Sequence, residues 1–141
     1  VFESSADASA AAKRVYLRYL QIGREVSEDG GRGVGRFNQV LTESALREEK
    51  AGAKLLQTKK LVSTGATELT GFKLQRANLA TGEVAAYACI DLSNVRVMTS
   101  AGKDVTPKGR PARQTVRPTF VWKLGRLMVE ANGTWSGSTV C

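Results

Sequence analysis

Apolar residues recur at threes and fours through the first part of this chain and at twos after about Val62, which dictates an α+β plan with helices preceding antiparallel strands. From Ala6 to about Ser27, the positions Ala8, Ala12, Val15, Tyr16, Tyr19, Ile22 and Val26 form one stripe on a helix of about six turns. The glycine-rich run from Asp29 to Gly35 ends it, because consecutive glycines are costly in helices and easy in turns. A short helical segment holding Phe37, Val40 and Leu41 follows. A third, from Glu43 to about Lys59, is rich in Ala, Leu, Glu and Lys.

Four strands in a meander are predicted next. Phe72 and Leu74 mark the first, and Val84, Ala86, Ala88, Ile90 and Leu92 alternate through the second after a turn at Thr81-Gly82. Val116, Phe120 and Trp122 mark the third, where Pro118 points to an edge or a bulge. A turn at Leu124-Gly125 leads to the fourth, through Leu127, Val129 and Ala131. Residues 1–141 read as one domain, with 1–5 a linker or disordered start and 101–111 an exposed polar loop.

The composition is ordinary for a globular domain, 42% hydrophobic and 24% charged, and no run of about 20 apolar residues is present. The chain starts at Val1 rather than Met, which reads as a mature or trimmed ectodomain, or as an internal fragment. Cys89 lies in an apolar alternating run and Cys141 at the exposed end, so a bridge would protect a vulnerable thiol. The alternative is two free thiols in a reducing cytosol; a bridge would mean an oxidising compartment. The formal charge of +8 is uneven, with eight basic residues against Asp104 alone between Arg96 and Arg126. Arg110, Arg113, Arg117, Lys123 and Arg126 are the densest group and a candidate basic patch.

A long amphipathic helix covering one face of a curved antiparallel sheet has the shape of the NTF2-like, or cystatin-like, cone. Over about residues 10–141, the runs Cys89-Ile90-Asp91-Leu92-Ser93, Val105-Thr106-Pro107 and Trp135-Ser136-Gly137-Ser138-Thr139-Val140-Cys141 resemble uncharacterised secreted or lipid-anchored actinobacterial proteins with NTF2-like domains. The resemblance implies that Cys89 and Cys141 pair and that the chain is exported. It implies no biochemical activity.

The absence of histidine removes Ser-His-Asp and Cys-His nucleophile pairs and His-based metal sites, so no catalytic residue, cofactor or metal is assigned. An enzyme would need Asp91 or Glu130 to meet a tyrosine. Tyr19, Phe37 and Trp122 are the candidate pocket walls. The glycine run lacks the Lys-Ser/Thr ending of a phosphate loop, and Asn132-Gly133-Thr134, although a glycosylation sequon, reads better as a turn. No aromatic is expected beside Arg113 and Arg117, which disfavours nucleic acid. The expectation is a non-enzymatic envelope or secreted domain binding a protein or an anionic envelope polymer. The alternatives are a small-molecule or lipid carrier with a dry pocket of several hundred Å³, and a scaffold domain of a secretion or conjugation machine; homodimers through the open sheet face are allowed.

Overall fold

The computed structural model describes residues 1–137 and 140–141, so Ser138 and Thr139 of the C-terminal motif lie outside the described residues. Helix α1 spans Ser5–Glu28, and Ser4 caps it by accepting from the Asp7 amide at 3.1 Å. Its end is set by glycines with positive φ. At Gly31 a Cβ would stand 2.2 Å from the Ala53 carbonyl oxygen, so this turn is also where α1 meets α2 (Glu43–Lys59). A 3-10 helix, Val34–Gln39, inserts Phe37 between them, and Thr42 caps α2 through the Ala45 amide.

The strands are β1 (Leu61–Thr64), β2 (Glu68–Ala77), β3 (Val84–Asp91), β4 (Arg96–Thr99), β5 (Arg113–Lys123) and β6 (Arg126–Thr134). The main sheet is an antiparallel meander in the order β2-β3-β5-β6, matching the four predicted strands. A second, two-stranded sheet pairs β1 with β4. Its four-residue strands are too short to show a period in the sequence, and no strand is predicted there.

The inner face of the main sheet carries Phe72, Leu74, Ala86, Ala88, Ile90, Val116, Phe120 and Val129, which form one core with Ala8, Ala12 and Tyr16 of α1. Three extra residues bend the edge strands, Thr70 and Gln75 in β2 and Glu130 in β6, each opposite a single step of the partner.

Several expectations are corrected. β5 is central, so Pro118 is not at an edge; it is buried, and the β3–β5 pairing is interrupted opposite it, between Ala85 and Ala88. Asn132-Gly133 is not a turn but part of β6. The start of the chain is docked rather than a free linker, since the Phe2 amide donates to Leu79 O at 3.0 Å and its ring meets Trp122 edge-on. The 101–111 loop is exposed but tied, with Thr106 Oγ1 accepting from the Val97 amide and Arg110 donating to two backbone carbonyls.

Cys89 and Cys141 are bonded, which draws the C-terminal segment across the outer face of the sheet. There Val140 O would lie 2.8 Å from a Cβ on Gly71, and Trp135 packs on Tyr87 with ring centroids 5.3 Å apart. The bridge closes a loop with a sequence separation of 52, worth roughly 4 kcal/mol in the chain-entropy model. Reducing the wild type, or replacing Cys141→Ser, should therefore lower the urea-unfolding free energy by roughly that amount, to a common value. A C141S chain as stable as the oxidised wild type would contradict the assignment.

Candidate functional site

The second half of α1, α2, the β1–β4 pair and the inner face of β6 line a half-open cavity of about 430 Å³. Apolar and aromatic side chains dominate its walls, among them Tyr16, Tyr19, Leu20, Phe37, Leu56 and Ile90. A string of hydrogen bonds runs along one wall. Tyr16 Oη donates to Asn132 Oδ1 at 3.0 Å, Asn132 Nδ2 donates to Tyr19 Oη at 3.3 Å, and Tyr19 Oη donates to Glu49 Oε1 at 2.5 Å. Each group is supplied by a different structural reason: the tyrosines by the α1 stripe, Asn132 by β6, and Glu49 by the face of α2 that holds Ala45 and Ala53.

Burial raises the phenol pKa values of Tyr16 and Tyr19 well above their usual range, and the nearby Glu49 carboxyl adds to the effect. Both hydroxyls stay protonated and act as donors. Burial also raises Glu49, helped by the neighbouring Glu48 and opposed by the Tyr19 hydrogen bond. The wall therefore offers one carboxyl that can take up or release a proton beside two fixed hydroxyls.

Of the sequence candidates, Tyr19 and Phe37 line this cavity, with rings 5.9 Å apart. Trp122 does not: it lies at the far end of β5 against Phe2, 40% exposed. The acid that meets a tyrosine is Glu49, and neither Asp91 nor Glu130 does so. Asp91 lies on the outer face, where the Ser93 hydroxyl and amide, then Arg113, hold its carboxyl below the ordinary range. Glu130 is the exposed bulge residue of β6.

The five basic residues do not form one free patch. Arg110 is tied to Leu92 O and Val95 O at 2.8 and 2.9 Å. Arg113 Nε lies 3.6 Å from Asp91 Oδ2, and Arg117 Nε donates to Gln75 Oε1 at 2.7 Å. Lys123 and Arg126 pair across the hairpin at the other end of β5, about 30 Å from Arg113 along an extended strand. The outer face is not free of aromatics, since Tyr87 and Trp135 lie on it. Among the described residues, no group of three His, Cys, Asp or Glu side chains is placed to hold a metal ion, and no helix is long and apolar enough to cross a membrane.

Glu49 and Asn132 are the two site residues that sequence reasoning missed. Glu49 falls four residues from both Ala45 and Ala53, an acid on the buried stripe of α2, which is the signal that would have found it. Because its pKa is raised on folding, the folded chain holds this proton more tightly than the unfolded chain. Glu49's contribution therefore erodes stability as pH rises from the ordinary carboxylate range through its raised value. Glu49→Gln should remove that fall: the variant gains stability on the wild type as pH increases, read from urea unfolding at a series of pH values. Parallel pH profiles would contradict the burial of this carboxyl.

No protein-family model matches this chain, and no curated protein matches it by sequence. Solved structures do. The intermembrane space region of the chloroplast protein ARC6 aligns with a TM-score of 0.63 at 12% identity, covering 90% of this chain and 97% of that one. Aln2 from a Streptomyces species aligns with a TM-score of 0.56 at 15% identity, covering 95% and 94%. The chain thus shares with them an α+β fold of helices packed on an antiparallel sheet.

Proposed function

We propose that this chain is a non-enzymatic binding domain of the NTF2-like cone type, working outside the cytoplasm, and that its ligand is a small molecule or lipid-like compound held in the α1–α2 cavity. The observation that carries the reading is the cavity itself. Its volume of about 430 Å³ lies within the usual range of about 300–1,000 Å³ for ligand sites, and its walls join apolar side chains to a few converging polar groups. The Cys89–Cys141 bridge supports an oxidising compartment. A site for an anionic polymer is the weaker choice, because Arg110, Arg113 and Arg117 already have partners within the chain. Kinship with exported actinobacterial proteins, through the motifs around Cys89 and Cys141, belongs to the same proposal.

Gly52 gives a clean test. Although exposed, it lines the cavity on α2, and a Cβ there meets nothing within 4 Å, so a larger side chain fits at this wall without a clash. Gly52→Leu also replaces a poor helix former by a good one, worth about 0.8 kcal/mol. The neutral fluorophore N-phenyl-1-naphthylamine should bind the wild type saturably at one site. G52L should bind it at least about tenfold more weakly while unfolding at the same or a higher temperature. Equal binding by G52L, or no saturable binding by the wild type, would contradict the proposal.

A further inference from the structure

Glu49 is placed oddly for a chain with 21 basic and 13 acidic side chains. Its Oε1 accepts from Tyr19, but among the described residues its Oε2 has no hydrogen-bond donor and no Lys or Arg nitrogen lies within 4.0 Å of either oxygen. Arg24 is the cation that shares the cavity wall, and it is engaged by Glu28 at 3.1 Å, one turn along α1. Glu49 is half-buried and its Oε2 keeps access to solvent through the cavity, so partial burial without a counter-charge disfavours the carboxylate and leaves one oxygen open to an incoming cation. The surroundings are those an organic cation would meet favourably. Tyr16, Tyr19 and Phe37 form a run of rings with neighbouring centroids 5.5 and 5.9 Å apart, and aromatic faces attract ammonium groups. Beyond them the walls are Leu20, Leu56, Ile90 and Leu92, suited to a hydrocarbon body.

We infer that the cavity selects amphiphilic amines, with the protonated nitrogen seated between the Glu49 carboxylate and the ring of Tyr19, which the buried Tyr16 and Phe37 rings back, and the apolar body against Leu20, Leu56 and Ile90. The inference rests on the small-ligand reading above and names the chemistry of the ligand. It excludes fatty acids, whose carboxylate would face Glu49 with like charge. The raised pKa of Glu49 agrees with it, since an acid without a counter-ion is the group that a cation would bring back to the ionised form.

Three probes of equal chain length separate the outcomes: n-octylamine, 1-octanol and octanoate, each titrated as a displacer of bound N-phenyl-1-naphthylamine at neutral pH. The wild type should bind octylamine at least about tenfold more tightly than octanol, with octanoate weakest. Glu49→Gln should lose the preference for octylamine over octanol, with near-UV circular dichroism reporting that the variant has folded. Octanol or octanoate binding as tightly as octylamine to the wild type would overturn the inference and leave the cavity reading standing, and the same holds for an unchanged preference in folded E49Q. Should the fluorophore and all three probes fail to bind the wild type, the ligand reading itself falls and the inference with it. The wild-type comparison decides the matter even where E49Q does not fold.

Discussion

The seating of α1 on the inner face of the main sheet is the constraint on which the rest depends. One end of the helix presents Ala8 and Ala12, both fully buried, to a sheet whose central strand offers Ala86 and Ala88, also fully buried. Small side chains on both partners let the backbones approach closely. Further along, Tyr16 and Tyr19 replace the alanines, and Tyr16 rests on Phe72 and Phe120 with centroids 6.4 and 6.5 Å away. The rings of this end of the stripe line the cavity, and α2 and the β1–β4 pair supply other walls.

That stripe was legible. The alternation of the main strands, the glycine stop after α1 and the hairpin at Leu124-Gly125 were legible too, and both turn residues have positive φ as the tight turn requires. The polar side of the site was not. Strict alternation along β6 places Leu127, Val129 and Ala131 inside. The bulge at Glu130 adds one residue, so beyond it the phase reverses: Ala131 is exposed and Asn132 turns inward to the tyrosines. A single charged residue thus hid the phase change. Glu49 was hidden by its neighbours, because Arg47, Glu48 and Lys50 make that stretch of α2 look solvated throughout.

The outer sheet face tells a related story about cysteine. Cys89 occupies the face opposite the core, which would leave it exposed in a bare meander, and the bond to Cys141 solves the problem by laying the chain's end across it. The cover is fitted locally, since Gly71 leaves room for Val140 O and Tyr87 receives Trp135. Arg113 and Arg117 share that face; Asp91 meets the charge of Arg113, whereas Gln75 holds the Arg117 guanidinium in place without neutralising it. Charge counts report a field; only the contacts decide whether its sources remain available.

The central claim is that Glu49 is a half-buried carboxyl held by Tyr19 in the wall of the α1–α2 cavity. Its most direct test is the ¹³C chemical shift of the Glu49 carboxyl followed against pH in the wild type and in Tyr19→Phe. The account predicts a midpoint above the ordinary glutamate range in the wild type, and a further rise when the Tyr19 hydrogen bond is lost. A midpoint within the ordinary range that does not move in Y19F would contradict it.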